Sequence, residues 1–206
     1  MAEVLPLLRG AGIETEDAFN DPHCRQLRFM TNLPELDVIR VRSFDVATFV
    51  AFGAADLGVV GSDVLMEFDY SEVYAPVDLG IGRCRIAVAE SAELVANDDP
   101  NAWSHVRVAT KYPMITSRHF AGRGVQAECI RLSGAIELAS ALGLCQRVVD
   151  LVSTGETLKA NGLTEIETIA DISSRLAVNR TAWKTQSVVI SGLIGRFREV
   201  VCAGAA

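Results

Sequence analysis

The sequence predicts an α/β protein, because short apolar segments bounded by glycine alternate along the chain with segments of helical periodicity. Hydrophobic residues make up 50% of the 206-residue chain, which is enough for a substantial buried core. The connections between segments are short, and no repeat or low-complexity linker interrupts them. This arrangement predicts largely parallel sheets, whose ligand sites gather at the carboxyl ends of strands.

The first part of the chain is predicted to form an opening helix, two short strands and then an alternation of helices and strands. Ser43 and Ser62 each precede a helical apolar pattern, so each is predicted as an N-cap. The predicted helices cover residues 3–10 and 45–52, and a third follows Ser62 through Val64, Leu65 and Phe68. The predicted strands cover residues 26–30, 38–41 and 56–61, and a connector covers residues 74–82.

The second part continues the alternation and closes with a helix. An apolar stripe with helical spacing runs along that last helix and consists of Val189, Leu193, Phe197 and Val200 or Val201. It is expected to be the buried face that packs on the rest of the chain, and a subunit contact is the alternative. The predicted strands cover residues 84–89, 106–110, 127–132, 148–152, 165–172 and 176–179. The predicted helices cover residues 113–121, 134–142 and 188–201, with a short helix and a loop over residues 90–101.

The turn after the strand at residues 148–152 has the composition of a phosphate site. Ser153 followed by Glu156 fits a capping box, so a helix is predicted to open as the strand ends. Gly155 lies between hydroxyl residues and allows the backbone to approach a ligand, and amides at a helix start attract anions. The alternative is a well-capped short helix over residues 157–161, closed by Gly162.

Two carboxylates accompany this turn, Glu137 on the preceding helix and Asp150 within the strand. A carboxylate inside an apolar run requires a partner. A sugar diol is a suitable one, since a carboxylate accepts hydrogen bonds from two hydroxyls at once. A salt bridge of Asp150 to Arg147 or Arg131 is the alternative.

The net charge of the chain bears on which ligands it can bind. The net charge of −7 argues against nucleic-acid binding, although locally concentrated basic residues can still bind small anions. Five basic residues lie near the ends of predicted strands: Arg40, Arg42, Arg83, Arg85 and Lys111. They can bind a small anion, or they can be ordinary surface charge.

The cysteines and histidines show no metal-ligand spacing. The five cysteines have no close pair, which argues against a zinc site or a disulfide framework and predicts a reducing compartment. No apolar run has the length of a membrane helix, and Glu3 stands where a signal peptide needs a base. A cytoplasmic protein without a membrane segment is therefore expected.

Several stretches together resemble one known family. The run DLVSTGETLKANGL at residues 150–163, preceded by Glu137, resembles the signature of the ATP phosphoribosyltransferases. The stretches RSFDV at residues 42–46, GAADLGVVGSDVL at residues 53–65 and RVATKYP at residues 107–113 are similar to further segments of that family. The resemblance extends from about residue 4 to about residue 180.

The resemblance implies two α/β lobes of the type II periplasmic-binding-protein kind with a cleft between them. Lobe I would comprise residues 1–85 and 170–206, and lobe II residues 86–169 with the sugar-phosphate turn. The implied enzyme transfers the 5-phosphoribosyl group from phosphoribosyl pyrophosphate to an adenine ring nitrogen of ATP. This is the first step of histidine biosynthesis. Mg²⁺ would be carried by the two substrates, with no metal ligand assigned to the protein.

The resemblance also implies roles for individual residues. Arg42, Glu137 and Asp150 would be catalytic, with the two carboxylates holding the ribose hydroxyls. Asp63 and Tyr112 would bind the nucleotide. The 5-phosphate of the sugar would be held by Ser153, Thr154, Gly155, Glu156 and Thr157.

The chain departs from the family pattern at its start. Family members begin with a strand and a Pro-Lys-Gly-Arg-like turn, and Met1 falls about where that turn would end, so the first strand of lobe I is expected to be missing. Cys145 and Ser140 stand where alanine and proline are usual, and both are tolerable.

The chain length resembles the short form of the enzyme, which has no C-terminal regulatory domain. That form implies a homodimer within a hetero-oligomer containing a regulatory subunit similar to histidyl-tRNA synthetase. The alternatives are a non-catalytic two-lobed module that binds a small anion, and an N-terminally truncated inactive chain of the same family.

Overall fold

The computed structural model describes residues 3–204, and the predicted α/β class is confirmed in them. The predicted end of the Pro-Lys-Gly-Arg-like turn at Met1 lies outside the described residues. The chain folds into two units. The terminal unit comprises Met1–Leu65, Asp69–Gly82 and Ser173–Ala206, and the central unit comprises Met66–Phe68 and Arg83–Ile172.

The helices and strands follow the predicted order, except for a strand at Val73–Asp78 and a helix at Arg180–Thr185 that the sequence does not predict. In the first part they are α1 (Val4–Gly10), β1 (Arg28–Met30), β2 (Asp37–Ile39), α2 (Ser43–Ala51), β3 (Leu57–Gly61), α3 (Ser62–Phe68) and β4 (Val73–Asp78). They continue with β5 (Cys84–Ser91), α4 (Ala92–Val95), β6 (His105–Thr110), α5 (Pro113–Ala121), β7 (Gln126–Arg131) and α6 (Ile136–Ala141). The last are β8 (Arg147–Val152), α7 (Glu156–Ala160), β9 (Leu163–Ile172), β10 (Ser174–Asn179), α8 (Arg180–Thr185) and α9 (Ser187–Gly204).

The central unit is built on a five-stranded sheet with the order β7-β6-β8-β5-β9. Strands β7 and β8 both run parallel to β6, whereas β5 runs antiparallel to β8 and to β9. The prediction of largely parallel sheets is therefore wrong. The long segment of this unit, Arg83–Ile172, opens with β5 and ends with β9. These two strands run in opposite directions, and Cys84 pairs with Ile172.

The core of the central unit fixes the ends of β8 and of α7. Val148 and Val152 of β8 are buried together with Ile136 of α6 and Leu158 of α7. These side chains hold both helices against one sheet face by burying apolar surface. The segment between Val152 and Leu158 is thereby anchored at both of its ends.

The terminal unit contains two small antiparallel sheets, one of β1 and β2 and the other in the order β3-β10-β4. Phe29 and Leu176 from these sheets pack in one core with Ile190 and Phe197 of α9. The buried face of α9 consists of Ile190, Leu193, Ile194 and Phe197. The predicted place of Val189 on that face is wrong, since this side chain is 54% exposed.

An apolar cavity of about 250 Å³ lies in the terminal unit and is lined by residues of both β2 and β3. Val38 and Val59 contribute to its wall, and Leu193 and Phe197 of α9 also line it. Among residues 3–204, β2 pairs only with β1, and β3 pairs only with β10. We call this feature the β2–β3 groove.

Three local predictions in the terminal unit are wrong. Residues 73–78 form the edge strand β4 and not a connector; Pro76 is tolerated there because it falls at the irregularity between Leu176 and Val178 of β10. Helices α2 and α3 begin at Ser43 and Ser62 themselves, and neither helix has a side-chain cap. The Ser62 hydroxyl instead accepts a hydrogen bond from the Ser173 amide at 3.3 Å.

The short helix and the loop that are predicted over residues 90–101 are both present, but the helix begins later than predicted. Glu90 still belongs to β5, and α4 covers only Ala92–Val95. The loop that follows is held by Arg147, which is buried, forms an ion pair with Glu90 at 3.1 Å and with Asp98, and stacks on the Trp103 ring at 3.9 Å. Burial raises the pKa of the Glu90 carboxyl. Within residues 3–204, no helix combines the length and the hydropathy that crossing a bilayer would require.

Candidate functional site

Three parallel strands of the central sheet end at the same edge. Thr110 of β6 lies opposite Arg131 of β7 on one side and Val149 of β8 on the other. The segments that follow these strands therefore share the carboxyl edge, where α/β sheets bind ligands. They carry Tyr112 after β6, Glu137 at the start of α6 after β7, and residues 153–157 after β8.

The 153–157 turn, Ser153 to Thr157, reverses the chain through Gly155. Gly155 has a φ of 79°, a left-handed conformation that favours glycine. Because of this reversal, α7 begins only at Glu156, with Gly155 at the cap position. The predicted capping box with Ser153 as N-cap is therefore wrong. The Thr154 hydroxyl instead accepts a weak hydrogen bond from the Glu156 amide at 3.4 Å.

The turn presents unused hydrogen-bond donors. In the described part of the chain, the backbone amides of Thr154, Gly155 and Thr157 make no hydrogen bond. The side chains of Ser153, Thr154 and Thr157 are exposed. Free amides and hydroxyls on a glycine-containing turn are the groups that bind a phosphate without a lysine.

Arg85 connects this turn to the neighbouring strands. It lies on β5 opposite Val152, the last residue of β8. Its guanidinium donates to the Ser153 carbonyl oxygen at 3.2 Å and to both carboxylate oxygens of Glu165 on β9, at 2.7 Å and 2.5 Å. The hydrogen bonds between the two side chains raise the pKa of Arg85 and lower the pKa of Glu165.

Glu137 and Asp150 both belong to the central unit and are half-buried. Glu137 lies in the first turn of α6, which follows Ala135 with its φ of 51°. Asp150 lies on β8 opposite Ala87, and its Oδ1 accepts from the Leu151 amide at 2.8 Å. Arg147, one alternative partner of Asp150, forms ion pairs with Glu90 and Asp98.

The start of α5 already holds a carboxylate. The amides of Met114 and Ile115 donate to the two oxygens of Glu67, each at 3.0 Å. Tyr112 precedes this helix, is only 1% exposed, and donates its amide hydrogen to the Thr110 hydroxyl at 2.9 Å. The start of α5 is therefore internally satisfied, unlike the 153–157 turn.

Two of the predicted site residues belong to the terminal unit. Arg42 is exposed and immediately precedes α2. Asp63 is buried in the first turn of α3, and a side chain at Gly61 would meet its Oδ1 at 2.0 Å. A Cβ at Gly61 would therefore displace this carboxylate from its present position.

The residues that sequence reasoning misses are those that act through partners far along the chain. The sequence marks Arg85 only as one of several basic residues, and it predicts no role for Glu165 or Glu67. It carries no signal for the Arg85–Glu165 pair, because that pair depends on the pairing of β5 with β9. Among residues 3–204, no group of three His, Cys, Asp or Glu side chains is placed to hold a metal ion.

Comparison with known proteins gives a consistent result. A family model described as ATP phosphoribosyltransferase matches residues 42–199. An ATP phosphoribosyltransferase from Paramagnetospirillum magneticum is 65% identical over 202 residues, covering 98% of this chain and 92% of the relative.

Solved structures agree in fold. The ATP phosphoribosyl transferase (HisG:HisZ) complex from Thermotoga maritima contains a chain with a TM-score of 0.80 and 28% identity, over 97% of this chain and 92% of that chain. The ligand-binding component of an ABC-type import system from Staphylococcus aureus matches with a TM-score of 0.58 and 10% identity, over 97% of this chain and 69% of that chain. The second likeness concerns the fold alone.

Proposed function

Since the chain belongs to the ATP phosphoribosyltransferase family, we propose that it transfers the 5-phosphoribosyl group from phosphoribosyl pyrophosphate to an adenine ring nitrogen of ATP. Pyrophosphate is released, and the reaction is the first step of histidine biosynthesis. The chain covers 92% of the length of the relative from Paramagnetospirillum magneticum, so nearly the whole of that enzyme has a counterpart here.

The observation that carries the proposal is the set of free donors on the 153–157 turn. An anion at this position would receive hydrogen bonds from the amides of Thr154, Gly155 and Thr157, none of which has an internal partner in the described residues. The exposed hydroxyls add further donors. The 5-phosphate of the sugar is the anion that the family reaction supplies.

Glu137 and Asp150 are proposed to hold the ribose hydroxyls. Both carboxylates are only partly buried and lie in the unit that carries the turn. A carboxylate accepts hydrogen bonds from two hydroxyls, so these residues would orient the sugar carbon that is attacked. Their negative charge would also stabilise the positive, oxocarbenium-like character of that carbon.

The reaction needs no nucleophilic side chain. The adenine nitrogen attacks with its own lone pair, a nitrogen–carbon bond forms at the ribosyl carbon, and the bond to the pyrophosphate oxygen breaks. The leaving pyrophosphate retains the bonding electrons, so the protein must align the reactants and neutralise charge. A preorganised donor directed at such developing charge contributes about 3 kcal/mol.

The remaining residues are proposed to serve the nucleotide and the leaving group. The exposed guanidinium of Arg42 is suited to a phosphate oxygen. Asp63 and Tyr112, each buried in its own unit, are proposed as nucleotide-binding residues. Mg²⁺ is proposed to arrive on the phosphates of the two substrates.

A regulatory partner also follows from the family. The Thermotoga maritima relative is a HisG:HisZ complex. We propose that this chain pairs with a comparable subunit, similar to histidyl-tRNA synthetase, as a homodimer within a hetero-oligomer.

The proposal is tested by pyrophosphate release and by two threonine variants. We expect release that requires ATP, phosphoribosyl pyrophosphate and Mg²⁺ and that increases with the partner subunit. Thr154→Ala and Thr157→Ala should each raise the KM for phosphoribosyl pyrophosphate roughly tenfold, because a hydrogen bond to a charged group contributes about 1.5–3 kcal/mol.

The control is Thr164→Ala, an exposed threonine on β9 outside the turn, which should leave this KM unchanged. Unchanged KM in both turn variants would remove the phosphate assignment. Binding of phosphoribosyl pyrophosphate without turnover, in the presence of the partner, would instead favour a non-catalytic binding module.

A further inference from the structure

We propose that Arg85 is a positioning residue for the sugar-phosphate site: its guanidinium holds the Ser153 carbonyl, and Glu165 fixes the guanidinium. This inference rests on the proposed function of the 153–157 turn. It adds a residue that acts through the backbone of the turn.

The turn itself has few internal hydrogen bonds. Within residues 3–204, one bond joins two residues of the turn, the weak bond from the Glu156 amide to the Thr154 hydroxyl. The carbonyls of Gly155 and Thr157 accept hydrogen bonds from amides that follow the turn. All of these bonds lie after Ser153. The first residue of the turn is tied to the sheet by the Arg85 side chain, at 3.2 Å.

The position of Arg85 suits this role. It lies opposite Val152 in the β5–β8 ladder, so its side chain starts beside the last residue of the strand. Val152 is buried and paired in this ladder, whereas the turn begins one residue later. A donor at this point limits how far Ser153 can move away from the strand.

Glu165 makes the contact directional. Its two carboxylate oxygens each accept a hydrogen bond from a different guanidinium nitrogen. This bidentate geometry fixes the orientation of the arginine side chain. The Thr168 hydroxyl donates to Oε1 of Glu165 at 3.0 Å and so restrains the carboxylate. The remaining guanidinium nitrogen, Nη1, is thereby aimed at the Ser153 carbonyl.

A lysine cannot replace this arginine, because its single ammonium cannot bind both Glu165 oxygens and the Ser153 carbonyl in a fixed fork. Arg85→Lys should therefore raise the Kd of Mg²⁺-phosphoribosyl pyrophosphate about tenfold, measured by calorimetry on the full chain. Glu165→Gln leaves Arg85 in place but weakens its orientation, so a smaller rise, about threefold, is expected. Neither variant should change the ATP Kd by more than about twofold.

Arg107→Lys is the matched control. Arg107 also pairs with a glutamate, Glu128, across two strands of the same sheet at 2.8 Å, but the pair joins β6 to β7, away from the turn. Its variant should leave both dissociation constants unchanged. A rise of the same size in this control would assign the effect to general loss of sheet stability and overturn the proposal.

A further readout separates positioning from a purely structural role. Backbone ¹⁵N relaxation should show increased mobility of residues 153–156 in Arg85→Lys, and no increase in Arg107→Lys.

The outcomes distinguish this inference from the proposed function. If the threonine variants weaken binding while Arg85→Lys and Glu165→Gln change neither Kd nor turn mobility, Arg85 has no positioning role and the enzyme assignment stands. If turn mobility rises but the unmodified chain shows no pyrophosphate release with its partner, the function is wrong and the contact between Arg85 and the turn remains. If Arg85→Lys fails to fold, the Glu165→Gln result decides.

Discussion

At the scale of single residues, Gly155 determines the shape of the proposed phosphate site. Its φ of 79° is required for the turn, and an added Cβ would lie 3.9 Å from Val152, which is ordinary contact. Substitution by alanine therefore introduces backbone strain without a steric clash. The effect of backbone strain at this position can therefore be measured without a steric clash in the substrate site.

We expect Gly155→Ala to reduce the free energy of unfolding by about 1 kcal/mol, since an alanine in the left-handed region costs about that much. It should also raise the KM for phosphoribosyl pyrophosphate, because relaxing the turn moves its free amides. Urea denaturation and steady-state kinetics measure the two effects. The stability loss alone is not informative about the site.

Gly124→Ala is the control for this prediction. Gly124 has a φ of 73°, has no atom within 4 Å of an added Cβ, and precedes β7 at the opposite edge of the same sheet. It should lose a similar free energy of unfolding and keep the KM. Equal changes in KM for both variants would mean that the turn has no special role.

The turn can be predicted from the sequence because its residues are consecutive. Ser153, Thr154, Gly155 and Thr157 are recognisable together, as is the strand that precedes them. The contact between Arg85 and Glu165 cannot be predicted, since the two residues are 80 positions apart and meet only through the β5–β9 pairing. The predicted cap is misplaced because the pattern Ser-x-x-Glu does not show which residue reverses the chain.

At the scale of secondary structure, apolar periodicity locates most segments but not their direction. A buried strand has the same pattern whether its neighbour is parallel or antiparallel, so β5 and β9 give no sign in the sequence of their antiparallel pairing. Edge strand β4 is missed because Pro76 is a turn signal in the sequence. The irregular pairing that accommodates Pro76 is a property of the sheet.

The closing helix α9 offers a stability prediction of its own. Gly192 lies in its interior, is exposed, and has no atom within 4 Å of an added Cβ. Gly192→Ala should increase the free energy of unfolding by about 1 kcal/mol, because glycine is that much less favourable than alanine inside a helix. Urea denaturation measures the gain. A loss of stability would contradict the prediction and would indicate that this face of α9 contacts another molecule in solution.

At the scale of the whole chain, the terminal unit depends on residues from both ends of the sequence. Strand β10 is the middle strand between β3 and β4, although the whole central sheet separates it from them in the chain. The sheet of this unit is therefore incomplete until β10 has been synthesised. All five strands of the central sheet lie between Cys84 and Ile172, so that sheet has no such dependence.

The β2–β3 groove has a consequence for the behaviour of the chain in solution. Strand edges without a partner expose backbone donors and acceptors that can pair with another chain. In the described residues, β2 and β3 each have one such edge, and both strands line the same apolar cavity. We therefore expect reversible association that increases with protein concentration, measured by light scattering.

A lysine at Val38 or Val59 tests whether the groove is responsible, since both residues line it and a charge there opposes intermolecular strand pairing. Association that is undiminished in both variants would locate the contact elsewhere on the molecule. The same two edges would also make the purified chain sensitive to storage: precipitates should be rich in intermolecular β-structure and should originate from folded molecules. Concentration, more than temperature, would then limit its handling.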